Sequence, residues 1–497
     1  YPASEPMTKP DDLDPTQVDP RTGANGQTIW EFFMACHDGN LDMVLALSRQ
    51  YPLLIHAGIH YHQPLHFALR ENHLDVAKHL LDLGADPFSN GFTYGDLRVL
   101  LEERNRSEAI ELLDSTIART HSATKHGDPL ASLIKARDLP AIRQLIDQQP
   151  QLVHIGDSNG TLPLHWAVMT RQLHVIDLLL AHGAEIDKTR PDGARPIHLT
   201  NGDYHYRGWR DVPASSLRPH HVLIGYLLAK GAYYDISTAA RLGDLERVRF
   251  LVEEDPQRVN QLPAYHGFYN SAPLRNAAGQ GHLAVVEYLL EHGADPSLPE
   301  PIASHGTALR DALGNEHWQI AKLLLEHGAN PNSMVDSSGN CVWAAKVAPE
   351  EIRQLLADKG GILGLDLACY DHNYSYVEET LKQSPDSLIH PYLPLEDKQM
   401  VELVLRYQPD VLKKKSLPAT TTIEHAVWLL DRGMSPSLPN WLGVTPLHEC
   451  ARRGNIELAQ LCIQRGSPTN PIDDHCNETP LQWAHRFHQP AFANLFG

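Results

Sequence analysis

The chain is short of basic residues, sparing with cysteine and without any long apolar run, and each shortage removes a class of function. Lys and Arg number 42 against 61 Asp and Glu, a formal net charge of −19 spread over 497 residues. A phosphate backbone has to be neutralised by clustered cations, so no nucleic acid is expected as a partner. The one dense basic run, Lys413-Lys414-Lys415, reads as a solvated helix end. Nothing approaches the roughly 18 uninterrupted apolar residues of a membrane-spanning helix, and no leader of charged, apolar and small residues opens the sequence. No membrane insertion is therefore expected, and the cytoplasm is the expected compartment. Met7-Thr8-Lys9 reads as a natural start, with residues 1–6 an addition or a remnant of cleavage. Cys36, Cys341, Cys369, Cys450, Cys462 and Cys476 are dispersed with no C-x-x-C spacing, which points to small buried hydrophobes rather than zinc or a redox couple. His475-Cys476, with His448, is the most metal-like grouping, but no fourth ligand stands at a recognisable spacing. Neither a metal nor a cofactor is expected.

What the sequence has in abundance is a period. At 497 residues and 42% hydrophobic content, a globular chain would divide into two to four domains, but that expectation lapses where a chain repeats, because stacked units need no single core. Gln63-Pro64-Leu65-His66 recurs as Leu162-Pro163-Leu164-His165, Arg195-Pro196-Ile197-His198, Ala272-Pro273-Leu274-Arg275, Thr307-Ala308-Leu309-Arg310, Thr445-Pro446-Leu447-His448 and Thr479-Pro480-Leu481-Gln482. Pro163 to Pro196 is 33 residues, and Pro446 to Pro480 is 34. A second mark follows most copies some twenty residues later: Gly84-Ala85-Asp86, Gly183-Ala184-Glu185, Gly231-Ala232-Tyr233, Gly293-Ala294-Asp295 and Gly328-Ala329-Asn330. Between the marks lie apolar residues at helical spacing, such as Val76, Leu80 and Leu83, a stripe that one helix cannot bury alone. Proline at a first helical turn loses no needed hydrogen bond, and glycine just past a helix closes it in the left-handed conformation. His66, His165, His198 and His448 accordingly read as structural.

These paired marks resemble the ankyrin repeat, and the resemblance runs from Trp30 to the end of the chain. Residues 92–120, 340–361, 396–417 and 420–441 are weaker copies expected to keep the helix pair. The resemblance implies an all-α ankyrin solenoid, helix-turn-helix repeats of about 33 residues joined by short β-hairpin fingers. It also implies a non-enzymatic scaffold that binds another protein through a concave surface of finger loops and inner helices. The acidity favours a neutral or basic partner. A second kind of unit interrupts the first, with proline in place of the glycine stop, at Pro52, Pro150, Pro256 and Pro385. These prolines stand 98, 106 and 129 residues apart, and Pro64 to Pro163 is 99, three periods of 33. The expected organisation is a polar arm over residues 1–27 and a continuous solenoid over 28–497, in blocks 28–127, 128–235, 236–362 and 363–497.

Departures from the repeat are the places to look for recognition, since packing already accounts for the regular residues. From Pro196 to Gly231 is 35 residues, against 20 from Pro163 to Gly183, so about 15 extra residues interrupt one unit. They include Tyr204, His205, Tyr206, Arg207, Trp209 and Arg210, flanked by Asp203 and Asp211. The aromatic and arginine content is that of a binding hot spot. It equally suits a cover over the helix pair, with the arginines paired to the aspartates. A long finger carries Tyr265, His266 and Tyr269, another carries Trp441, and Arg275, Arg310 and Trp343 lie on nearby first helices. The alternative is a groove beside residues 201–219 that binds a small ligand such as a carbohydrate, or that is catalytic with His205 or His266 as the base. No G-x-S-x-G, H-E-x-x-H, P-loop or G-x-G-x-x-G motif accompanies it. Of the thirty histidines, many sit in the proline motif or, like His182, His292 and His327, just before a glycine stop, where a cation suits the helix dipole.

Overall fold

A computed structural model of the chain describes residues 7–88, 97–201, 220–264, 271–300, 303, 305–335 and 339–496. Two compact units form, residues 16–362 and residues 7–15 together with 363–496.

In the unit 16–362, helices come in antiparallel pairs. They are α1 (Gly26–Asp38) with α2 (Leu41–Gln50), α3 (Pro64–Arg70) with α4 (Leu74–Asp82), and α5 (Leu97–Glu103) with α6 (Ser107–His121). α7 (Asp128–Ala136) with α8 (Leu139–Gln148) and α9 (Pro163–Met169) with α10 (Leu173–Ala181) follow. One unit keeps only the 3₁₀ turn Pro196–Leu199 in first position before α11 (His220–Ala229). After it come α12 (Ile236–Leu242) with α13 (Leu245–Glu254), α14 (Pro273–Gln280) with α15 (Leu283–Glu291), α16 (Ala308–Gly314) with α17 (Trp318–Glu326), and α18 (Cys341–Ala344) with α19 (Glu350–Asp358). First helices stack on first helices and second on second, and along α12, α14 and α16 the first row is the closer. The chemistry of the contact explains this: Ala239, Ala240, Ala277 and Ala278, all fully buried, let α12 and α14 approach almost backbone to backbone. The second helices bring Val286, Leu289 and Leu324 into the same core, each worth about 1.5–3 kcal/mol of burial.

The joints are built from local rules. Gly243 ends α12 in the left-handed region at φ 76°, and the Asp244 side chain then accepts from the Arg247 amide to cap α13. Gly39-Asn40 and Gly454-Asn455 repeat the device. The proline-stopped units are short 3₁₀ helices, Pro52–His56, Pro150–His154 and Pro256–Asn260. Pro385 begins only a turn, while Gln408-Pro409 leads into a further 3₁₀ helix, Val411–Lys414. Among the described residues one finger is a true hairpin, Met334–Val335 pairing antiparallel with Gly339–Asn340.

The second unit contains α20 (Leu365–Tyr370) with α21 (Tyr374–Gln383), α22 (Lys398–Tyr407), α23 (Ile423–Leu430), α24 (Pro446–Arg453) with α25 (Ile456–Gln464), and α26 (Pro480–Arg486) with α27 (Pro490–Ala493). The weak copies at 92–120 and 340–361 keep their pair, but those at 396–417 and 420–441 have one α-helix each. Residues 391–397 and 418–422 are irregular or turns instead. Pro391, Pro394 and Pro418 remove amide donors and push the preceding residues toward extended backbone, and Thr420-Thr421-Thr422 adds a β-branched run. Nor is the lysine run wholly solvated: Lys413 pairs with Asp410 at 2.6 Å, but Lys415 turns inward and donates to the Pro391 carbonyl at 3.2 Å. All six cysteines are buried, and none is joined in a disulfide. Among the described residues no helix is long and apolar enough to cross a membrane, and no group of three or more His, Cys, Asp or Glu is placed to hold a metal.

Candidate functional site

Tyr204, His205, Tyr206, Arg207, Trp209 and Arg210 of the insert, and Tyr265, His266 and Tyr269 of the long finger, lie outside the described residues. Arg310 and Trp441 are described. The geometry around each can therefore be built from the elements that border it.

The histidines of the proline motif are used inside the repeats. His66, His198 and His448 each accept from the backbone amide three residues earlier, at 3.0, 3.2 and 3.1 Å, closing a capping box over the first turn. The far ring nitrogen reaches onward: His448 Nε2 donates to the Glu478 carbonyl at 3.0 Å, and His165 Nε2 to the Ala194 carbonyl at 2.9 Å. Both carbonyls belong to the finger of the following repeat. Burial, with Arg190 nearby, drives the His165 imidazole down to about 3, so it stays neutral. A related bond has only a faint mark in the sequence. Asp157 accepts from the Trp166 indole at 2.8 Å and Asp473 from the Trp483 indole at 2.9 Å, each tryptophan standing three residues after the motif proline. An aspartate nine or ten residues ahead of such a tryptophan was the available signal.

Charged residues border the insert in sequence on both sides. On the finger that precedes it in sequence, Arg195 occupies the place of the motif threonine and donates to Asp187 at 2.9 Å and to Asp235, while His198 Nε2 donates to the same Asp235 at 2.9 Å. The Arg195 guanidinium also lies 5.4 Å over the Tyr233 ring. Burial works against the Asp235 carboxylate, but His198, the Thr238 amide and Arg195 together hold it below the usual range. Just before the insert, Arg171 donates to the Thr200 carbonyl at 3.4 Å and to Asn201 at 3.5 Å. His220 is pushed down to about 4, by burial first and then by Arg241, Arg171 and His221. The described residues that border the insert in sequence or contact those borders thus include guanidinium groups and a neutral imidazole.

Beside the long finger the polar residues form a buried network. Arg275 on α14 pairs with Glu300 at 3.2 Å and with Asp311 on α16 at 2.7 Å, and Glu300 also accepts from the Ala272 amide at 2.7 Å. Burial raises the Glu300 carboxyl, with Arg275 opposing the shift. Arg310 stands 3.8 Å from the same Asp311 and is half-buried. The structure thus brings Arg310 and Arg275 together around one carboxylate on the first-helix row.

Trp441 belongs to the other unit. Its finger is organised by the Asn440 side chain, which accepts from the Leu442 and Val444 amides at 2.9 and 3.1 Å, with Leu442 fully buried beneath. Trp441 is half-buried, and its carbonyl accepts from the amide of Thr8 at 3.2 Å.

Two family models match the chain. One, described as "Ankyrin repeats (3 copies)", covers residues 100–190 and 236–335, and one, described as "Ankyrin repeat", covers 61–91 and 442–474. Together they take in just over half of the sequence. The chain is 22% identical over 195 residues to Ankyrin repeat protein nuc-2 of Neurospora crassa, a stretch that is 39% of this chain and 14% of that protein. It is 25% identical over 118 residues to Ankyrin repeat and SAM domain-containing protein 6 of Danio rerio, 23% of this chain and 16% of that protein. The chain therefore matches less than a fifth of the length of either relative.

Proposed function

This chain belongs to the ankyrin-repeat family, whose repeats are in general protein–protein interaction modules, and from that premise we propose that it is a non-enzymatic, cytoplasmic scaffold binding a neutral or basic protein through its finger loops and first helices. The observation that carries the reading is the division of labour among polar residues. At the repeated positions the histidines cap their own helices and bond the next finger, and the buried arginines and carboxylates pair with one another. Outside the repeated positions, aromatic residues and arginines concentrate in residues 202–213, and aromatic residues in 262–270, the composition enriched where interfaces derive their energy. A net charge of −19 steers a basic surface toward the chain and repels an acidic one.

The test is quantitative capture with the full chain. Tyr206, Arg207 and Trp209 are replaced together by alanine, and proteins cross-linked in a native lysate are compared with those of the parent. Capture of at least one protein should fall ten-fold or more while helix content is unchanged. Retention of every partner at parental level overturns the assignment of the insert.

A further inference from the structure

The polar arm at the start of the chain is not a free tail. Residues 7–15 lie against the unit formed by residues 363–496. The Thr8 amide donates to the Trp441 carbonyl at 3.2 Å, and Met7 and Pro10 are buried. The Leu13 amide then closes a turn onto the Pro10 carbonyl at 3.1 Å, and Lys9 Nζ ties the same turn by donating to the Leu13 carbonyl at 2.8 Å. At the turn, Asp11 accepts from His390 Nε2 at 2.7 Å. The exposure is lopsided: the His390 side chain is 9% accessible and Asp11 64%. The unit supplies a buried donor and the arm lays a carboxylate over it. Tyr392, half exposed, has its phenol pushed up by burial, then by Asp366 and by Asp12 of the same turn.

This is how a short linear segment docks on a repeat surface: one backbone bond that any sequence can make, two buried apolar groups and one charge-assisted bond that confer selectivity. We propose that the surface around His390, Tyr392 and Trp441 is a docking site for an acidic, proline-bearing segment of a partner protein, and that residues 7–15 occupy it in this chain as an intramolecular competitor. The inference rests on the protein-binding reading above and adds to it the chemistry of one partner segment: an apolar residue three positions before a proline, with a carboxylate immediately after. It also adds regulation. The arm is covalently attached, so it outcompetes a weak ligand by effective concentration, and a partner gains access only when it is stronger or when the arm is loosened.

The probe is a labelled peptide of residues 7–15, acetylated and amidated, followed by fluorescence anisotropy against the full chain and against a full-length variant with Pro10→Ala and Asp11→Ala in its own arm. The loosened chain should bind the peptide at least ten-fold more tightly than the parent. It should bind a peptide carrying Asp11→Asn several-fold more weakly and a scrambled peptide not at all. Because the selectivity controls sit on the peptide, none depends on a variant of the receptor surface folding. Deuterium uptake at Thr8 and Leu13 in the loosened chain should rise, which checks that the arm has left. Equal peptide affinity in the parent and loosened chains, or equal affinity for the scrambled peptide, overturns the proposal. If that happens while the insert still captures a protein, the proposed function stands and this docking site falls.

Discussion

Gly243 offers the sharpest test of how the repeats are locked together. Its φ of +76° is left-handed, and an alanine Cβ there would lie 2.6 Å from Nδ1 and 2.8 Å from Cε1 of His282 on the next repeat. Gly293, at φ +88°, has nothing within 4 Å of the same hypothetical atom. Alanine at either place costs about 1–2 kcal/mol for the left-handed backbone. At Gly243 the His282 ring must also move by about 1 Å to regain an ordinary contact. That ring donates from Nε2 to the Arg241 carbonyl at 2.9 Å, a bond worth about 1 kcal/mol, and it packs against the joint between α12 and α13. With about 1 kcal/mol for local repacking, Gly243→Ala should cost roughly 3–4 kcal/mol and Gly293→Ala roughly 1–2. Urea unfolding of the full chain, read by hydrogen exchange at amides of α12 to α15, measures both. A midpoint shift at unchanged slope reports stability alone. Equal costs for the two substitutions would refute the reasoning, because they would show that the histidine does not interlock with the glycine. Gly39 with His73 and Gly281 with His317 share the geometry, at 2.3 and 2.7 Å.

His448→Ala removes both a capping box and the bond to the Glu478 carbonyl, and should destabilise the 363–496 unit by about 2–4 kcal/mol in the same assay; a cost below about 0.5 kcal/mol would make that histidine dispensable. Asp473→Ala strands the Trp483 indole and the Cys476 and Glu478 amides, which it accepts at 2.9, 2.6 and 3.1 Å. It should cost about 3 kcal/mol or more, and Asp157→Ala should act alike in the other unit through Trp166. Acidification should weaken the 16–362 unit. His62 and His165 are lowered by burial to about 4 and about 3, so the unfolded chain takes up protons that the folded one refuses. The stability they confer is complete above pH about 6.5 and is lost as pH falls below it. Between pH 7 and 5 each should remove about 1–2 kcal/mol, checked by urea midpoints across that range; midpoints that stay level or rise would contradict it.

The fold was legible wherever a local steric rule left its mark. Pro64, Pro163 and Pro446 start helices, and Gly84, Gly183 and Gly328 end them left-handed, at φ of 100°, 88° and 85°. Gly360, Gly433 and Gly466 do the same at 91°, 96° and 94°, but no Ala-Asp or Ala-Asn follows them, so the sequence carries no second mark there. The Pro409 copy of the proline-stopped unit hid for a similar reason, sitting only 24 residues after Pro385 instead of about a hundred. The expected helix pairs at 396–417 and 420–441 failed because prolines count as starts in the repeat motif and as breakers elsewhere. The candidate site was less legible. Arg310 was recognisable as an arginine on a first helix, but Arg275, Glu300 and Asp311 converge on one point from three places in the chain. No spacing rule reports such a convergence. Trp441 was legible as an aromatic finger, whereas its partner Thr8 lies more than four hundred residues away in sequence.

The central claim is that the regular residues hold the repeats together and that the irregular segments recognise a protein. The most direct measurement is a paired readout on full-length His448→Ala and Trp209→Ala, the unfolding midpoint and the capture of cross-linked partner per folded molecule. His448→Ala should lower the midpoint and leave capture at parental level, and Trp209→Ala should lower capture and leave the midpoint in place. Loss of capture in His448→Ala at temperatures where it is fully folded, with Trp209→Ala capturing as the parent does, would contradict the account.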